Sequence, residues 1–488
     1  MSKPPEQLRA DALRIWQAGV QAVGAEHLVT EALAVRGDQL IVAEQSFALD
    51  DIGRIAVVGA GKAGAGMAAG VEQTLGSNLM DRKQVTGWIN VPADCVETLQ
   101  RITVHAARPA GVNEPQPEGA EGARRILELV NSLEPADLCL CLISGGGSAL
   151  LPAPAEGVSL DDKLAVIQAL SAAGADIVEI NTVRKQLSRI KGGGLARACR
   201  AGRLVSLIIS DVPGDPLDTI ASGPTVTDDR STPAAALEVL ERYDARRRGV
   251  GEGVFEFLAA RRAAPPLPPP QIEVSNHIIG NNATAVDAAG MEAERLGYNH
   301  AMLSSREPEG LADEVGRHLA AMALRMRGDA DRATDPPSTA ASTDSAPGSS
   351  AAPTGSVTPA QAAAINCLIT GGEPVVQLVD SSRRGLGGRN QQLALAALKH
   401  LAEHGGGRAV ALLSGGTDGE DGPTDAAGAV VDETLMTAAE EQGLKPDDFL
   451  ARNDAYHFFE PLDGLIKTGP TNTNVCDLRV VVVDRSRG

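Results

Sequence analysis

Aromatic residues are scarce: six Phe, three Tyr and two Trp make up 2% of 488 residues. So little ring surface leaves few platforms for stacked bases. A formal net charge of −19 removes the basic field on which nucleic-acid binding depends. No nucleic-acid partner is therefore expected. No run of about 18 apolar residues occurs, so no membrane span is expected. The first residues, MSKPPEQLRADALRIW, lack the apolar core of a secretory leader. The six cysteines form no C-x-x-C pair, and Cys139 and Cys141 lie within an apolar run. These features point to a reduced, cytoplasmic setting. The phosphate loop G-x-x-x-x-G-K-[ST] is absent, so any nucleotide site is of another design.

Glycine, by contrast, is abundant, and much of it follows short apolar runs. In Arg54 to Gly66, RIAVVGAGKAGAG, the run Ile55 to Val58 enters Gly59-Ala60-Gly61, which carries Lys62. A helical segment then continues to roughly Leu75. Strand, tight turn and helix in that order bring backbone N–H groups close to an anion, and Lys62 adds a full positive charge. Gly59, Gly61 and Gly64 also fit the dinucleotide spacing G-x-G-x-x-G. That fingerprint requires an acidic residue about 20 positions on, to hold a ribose. The strand Val85 to Val91 carries Asn90 there and no carboxylate. An anion cradle is expected rather than a NAD site.

The run Asp137 to Ile143, DLCLCLI, is apolar on both faces, as at the centre of a parallel sheet. It opens into Ser144-Gly145-Gly146-Gly147-Ser148. Within Glu179 to Ala198 a helix is expected that places several of Asn181, Arg184, Lys185, Ser188 and Lys191 along one side and ends at Gly192-Gly193-Gly194. Strand Leu204 to Ser210 delivers Asp211 and Asp215, where α/β enzymes place bases and metal ligands. The proline-rich Arg261 to Gln271 reads as a connector, dividing a domain of residues 1–262 from one of 272–488. In the second, strand Ile272 to Ile279 comes first. Later strands run into Gly371-Gly372 and into Gly415-Gly416-Thr417-Asp418, and Arg389 opens a helix. Residues 328–361, rich in Ser, Thr, Pro, Ala and Gly, are expected to form a disordered insertion. His400 and His404, four apart, read as helix surface. Cations Lys62, Lys185, Lys191 and Arg389, with carboxylates Asp211, Asp215, Asp418 and Asp425 able to hold Mg²⁺, suggest phosphoryl transfer.

Together GAGKAG, SGGGSALL, NTVRKQLSRIKGGGLA, SDVPGDPLDTIASGPT, GGRNQQLALAAL, GTDGEDGPTDAAGA and TGPTNTNVCDLRV resemble the MOFRL-type glycerate 2-kinases, whose members have often been labelled hydroxypyruvate reductases. The resemblance covers nearly the whole chain outside the insertion. It implies an α/β protein of two domains: a Rossmann-like N-terminal domain with a mostly parallel sheet, and a smaller α/β C-terminal domain, with the active site in the cleft between. It implies ATP and Mg²⁺ and phosphorylation of D-glycerate to 2-phosphoglycerate. Lys62 and Arg389 match the residues thought to contact the reacting groups. Ser144, Gly145, Gly146, Gly147 and Ser148, with Asn181, Lys185 and Lys191, are then candidates for substrate, and Asp211 for the base. Gly59, Gly61, Gly371, Gly372, Gly415, Gly416 and Thr417 are candidates for nucleotide, and Asp211 and Asp425 for metal. An NAD(P)H-dependent hydroxypyruvate reductase is the alternative. Glu373, in Gly372-Glu373-Pro374-Val375, and Asn472, where a glycine is common, depart from the family pattern.

Overall fold

The structure is a computed structural model that describes residues 3–329 and 358–485. The expected disordered insertion falls mostly on residues 330–357, outside the described residues. The chain divides into two compact units, residues 24–279 and residues 1–23 with 280–488.

The first unit begins with a helix, Ala25–Ala32, and a small antiparallel sheet of β1 (Leu33–Arg36), β2 (Gln39–Val42) and β3 (Gln45–Ala48). The main sheet uses β4 (Ile55–Ala60), β5 (Thr86–Pro92), β6 (Ile102–Arg108), β7 (Leu138–Ile143), β8 (Arg203–Ile209) and β9 (Glu273–Gly280). Their spatial order is β6-β5-β4-β7-β8-β9. The ladders joining β6 to β5, β5 to β4, β4 to β7 and β7 to β8 are all parallel. Every residue of β4 and of β7 is buried. This is why those strands are apolar throughout rather than alternating. Helices such as Pro117–Asn131 pack Ile126 and Val130 onto this sheet. A separate helical cluster joins Val166 and Leu170 to Val183, Leu240 and Phe255.

The second unit has β10 (His300–Ser304), β11 (Cys367–Gly372), β12 (Val410–Gly416), β13 (Gly428–Asp432), β14 (Leu465–Ile466) and β15 (Asp477–Val483) in the order β10-β11-β15-β12-β13-β14. Among the described residues only β10 and β11 pair in parallel; the other ladders are antiparallel. The helix Pro5–Ala22 lays Leu8, Ile15 and Trp16 on Leu413 and Val480 of this sheet.

Two features depart from the division expected at residues 262–272. The first 23 residues pack with the C-terminal unit, and β9 completes the sheet of the N-terminal one. The β1–β3 meander was not expected. The helix expected to run to Gly192-Gly193-Gly194 ends earlier as well. Helix Ile177–Gln186 stops, and a second short helix spans Gly194–Ala198. Between them the chain unwinds to bond residues 153–155: Arg189 N donates to Ala153 O and Ala155 N to Leu187 O. The Ser188 hydroxyl receives the Ile190 and Lys191 amides, fixing the turn.

Candidate functional site

In the first unit the two glycine loops interlock. Lys62 N donates to Gly145 O at 2.9 Å, Ser144 N to Ala60 O at 3.1 Å, and Ala63 N to Ser144 Oγ at 3.1 Å. The approach requires glycine. A Cβ on Gly59 would overlap Leu142 O, and one on Gly61 would overlap Ser144 Oγ and lie 2.7 Å from the Ser144 carbonyl carbon. Gly146 turns the loop in the left-handed region, at φ 76°. A Cβ there would be 3.9 Å from the Lys62 side chain and 3.4 Å from a guanidinium nitrogen of Arg108. Arg108, at the end of β6, thus joins Lys62 beside the Ser144–Ser148 loop. Nothing in its sequence context singled it out.

At the far end of this loop Lys191 Nζ donates to Ser148 O (2.8 Å) and Ser148 Oγ (2.9 Å). Ser148 Oγ also meets Ser222 Oγ at 2.9 Å, and Ser222 Oγ donates to Asn181 Oδ1 at 2.9 Å. Ser222 holds its place in a left-handed run, Ala221 (φ 50°), Ser222 (φ 62°) and Gly223 (φ 62°). Such geometry costs a non-glycine residue about 1–2 kcal/mol. Lys191 and Asn181 are therefore both in the network, but Lys191 is on the turn rather than the helix. Lys185 stands apart from it: its ammonium is buried against Asp228, with Asp218 at 3.4 Å, so its charge is already balanced. Asp211 lies on the loop just past β8.

Asn90, at the position where a dinucleotide fold would place its ribose-binding acid, is buried and structural. Its Nδ2 donates to Gly119 O at 3.2 Å and Leu150 O at 2.8 Å, and its Oδ1 accepts from Trp88 Nε1 at 3.1 Å.

In the second unit Arg389 opens the helix Arg389–His404. Asp477 accepts from its Nε at 2.8 Å and its Nη2 at 2.9 Å, while Glu373 pairs with Nη1 at 2.8 Å. Against the cost of burial, Asp477 and Glu373 hold the guanidinium firmly charged. Asp421 caps the same helix: Asn390 N donates to Oδ1 at 3.0 Å and Gln391 N to Oδ2 at 2.8 Å. Burial pushes the Asp421 carboxyl up to about 7; the two amides oppose the shift and Asp477 adds to it. Burial, opposed by Arg389 and aided by Asp477 and Asp418, also raises Glu373. Sequence reading did not single out Asp477, which is 88 residues from Arg389.

The remaining candidates have local explanations. Gly371 admits Asn282, whose Nδ2 donates to Val475 O and Asp477 O. A Cβ on Gly372 would overlap Glu309, which Arg479 grips with two bonds. Gly415 faces the Trp16 ring, 3.0 Å from where its Cβ would be. The Gly416 amide donates to Ala427 O. Thr417 is a buried strut, its hydroxyl donating to Cys476 O and accepting from Val475 N. The Asp425 carboxylate is taken by Lys467 Nζ (2.9 Å) and Tyr456 Oη (2.8 Å), which hold it below the usual range. Among the described residues no group of three or more His, Cys, Asp or Glu could hold a metal ion. His400 is not helix surface as expected: it is 4% exposed, and its ring stacks on His404 with centroids 4.2 Å apart. Asn472 adopts φ 56°, a conformation that glycine favours and asparagine tolerates, which accounts for its standing at a position where glycine is common.

Two α/β units, one with interlocked glycine loops at the ends of parallel strands that carry Lys62 and are met by Lys191, form the framework of an enzyme that handles small anions. Comparison with known proteins agrees. Residues 11–259 match a domain of unknown function, DUF4147, and residues 366–477 match the MOFRL family. The chain is 37% identical to a glycerate kinase of Danio rerio, covering 98% of both chains. It is 34% identical to a D-glycerate 2-kinase of Thermotoga maritima, covering 98% of this chain and 99% of that one. It is also similar to the crystal structure of a glycerate kinase from Thermotoga maritima, with a TM-score of 0.76 and 33% identity over 98% of this chain and 100% of that one. The chain belongs to the glycerate kinase family that combines these two domains.

Proposed function

We propose that the protein transfers the γ-phosphoryl group of ATP to the 2-hydroxyl of D-glycerate. The observation that carries this reading is the interlocked pair of loops, Gly59–Ala63 and Ser144–Ser148, which gathers Lys62, Arg108 and Lys191 in a chain that carries a net charge of −19. Its support is full-length similarity to glycerate kinases.

Phosphoryl transfer depends on positioning and on charge neutralisation. Lys62 and Arg389 are each assigned to neutralise charge on the transferring group. Asp477 orients Arg389 through two buried bonds. The Glu373 contact to Nη1 is half-exposed and is the one a phosphate oxygen can replace. Asp211 is assigned to take the proton from the attacking hydroxyl. Bound with the nucleotide, Mg²⁺ would neutralise phosphate charge. Mg²⁺ commonly uses one or two carboxylates with substrate phosphates and water, and of the two candidates for that role Asp211 is already given to the proton. Asp425, committed to Lys467 and Tyr456, fits it poorly. The buried thiols Cys139, Cys141, Cys199 and Cys367 form no disulfide, which supports a cytoplasmic enzyme. The reductase alternative finds no support at Asn90, whose amide is fully used inside the fold.

Replacing Lys62 with Ala is expected to lower kcat on the order of 10²- to 10³-fold, with circular dichroism and Tm close to the parent. Near-parental kcat in the folded variant would refute the role of Lys62.

A further inference from the structure

Beside the Ser144–Ser148 loop lies a small cavity of about 40 Å³ whose wall carries Lys163, Arg184 and Lys191. All three side chains arrive from separate elements: the helix Leu160–Ala172, the helix Ile177–Gln186 and the turn after it. Lys163 and Lys191 are each only 3% exposed. Among the described residues Lys163 Nζ has one partner, the Leu187 carbonyl at 3.1 Å, and Lys191 has only neutral oxygens of Ser148 and Ala221. Arg184 makes no hydrogen bond or ion pair with any described residue. The one carboxylate on the wall, Glu114, is exposed and meets Gln168 at 3.4 Å.

Buried cations are ordinarily paired, because removing a charge from water costs several kcal/mol. Here two buried lysines and the partly exposed Arg184 gather with no carboxylate bonded to any of them among the described residues, in a chain with far more acidic than basic residues. Burial and mutual repulsion push Lys163 down to about 7 and Lys191 well below the usual lysine range. A small anion would satisfy all three. The volume decides its size. It exceeds the ~10–15 Å³ one water needs, yet is far below the ~300 Å³ at which drug-sized sites begin. A nucleotide does not fit; a single carboxylate group does.

We propose that Lys163, Arg184 and Lys191 form the seat of the acceptor's carboxylate. This rests on the glycerate reading and deepens it: Lys163 and Arg184 become specificity-determining residues, selecting a small hydroxy acid over the corresponding polyol. Ser148, bonded to Lys191, links the seat to the loop that holds Lys62.

The test uses the full chain with Arg184→Leu, which removes no internal bond, and Lys163→Met as the second variant, each checked for folding. D-Glycerate and glycerol are titrated by calorimetry without nucleotide, and ADP formation is followed at saturating ATP. The expected result is D-glycerate binding to the parent that weakens roughly 10- to 100-fold in Arg184→Leu. KM for D-glycerate rises by a similar factor, KM for ATP and kcat stay within about threefold, and the weak response to glycerol is unchanged. Unaltered D-glycerate affinity in folded Arg184→Leu, or equal weakening for glycerol, would overturn the carboxylate seat. Absence of ADP formation by the parent would instead overturn the kinase reading, with the calorimetric arm still deciding the pocket.

Discussion

Replacing Asp421 with Asn should change how stability depends on pH in a predictable direction. Asp421 is 2% exposed and caps the Arg389 helix through Asn390 N and Gln391 N, with Asn390 Nδ2 at 3.3 Å. Burial raises its carboxyl from 3.8 to about 7. Between those values the folded chain holds a proton that the unfolded chain has lost. Stability contributed by this group is therefore present at low pH, falls as pH rises toward 7, and is flat above. The slope is at most about 1.4 kcal/mol per pH unit and halves as pH reaches 7, which gives about 2 kcal/mol between pH 5 and 7. The amide of the Asp421→Asn variant cannot titrate, so the variant should lack this fall, apart from a pH-independent offset for presenting an NH₂ group to one helix amide. Trp16 packs in the same unit, and Trp88 is the other tryptophan. Urea unfolding followed by Trp16 fluorescence in a Trp88→Phe background isolates the effect. The stability difference between parent and variant should shift by about 2 kcal/mol in favour of the variant over that range. Parallel pH profiles would show that Asp421 is already ionised in the fold and refute the reasoning.

Other consequences follow from packing. Gly61→Ala places a methyl group onto Ser144. It should cost about 1–3 kcal/mol, lower Tm, and abolish most turnover by separating the two loops; unchanged Tm and kcat would contradict the interlock. Trp16→Ala empties a fully buried site against Gly415 and Leu413. A loss of about 3–5 kcal/mol is expected in the unit containing residues 280–488, read by proteolysis of that unit. A loss confined to the unit of residues 24–279 would contradict the packing of the first helix.

How far the sequence revealed this arrangement depends on what each residue needed. The apolar run Leu138–Ile143 was legible as a central strand because a strand buried on both faces has no reason to alternate. The loops at Gly59 and Gly145 were legible because glycine after a strand marks close backbone approach. The first helix declared an apolar face but not the sheet that would cover it, so its membership in the C-terminal unit was hidden. The strand β9 is half-exposed and polar, EVSNHIIG, and follows a proline-rich stretch that resembles a boundary. The turn at Ser188 arises from pairing with residues 153–155, a tertiary contact that outweighs helix propensity. Lys163, in LDDKLAVIQAL, has the local context of a surface helix lysine, and only the fold reveals its burial. Asp477 was likewise invisible as the partner of Arg389, because nothing local joins positions so far apart.

The most direct measurement is product analysis. The protein, D-glycerate, ATP and Mg²⁺ are incubated together, ADP is quantified and the phosphorylated acid identified by NMR, beside a parallel incubation with hydroxypyruvate and NADH. The expected result is ADP and 2-phosphoglycerate in equal amounts, with no NADH oxidation. Oxidation of NADH by hydroxypyruvate, with no ADP from D-glycerate, would contradict it.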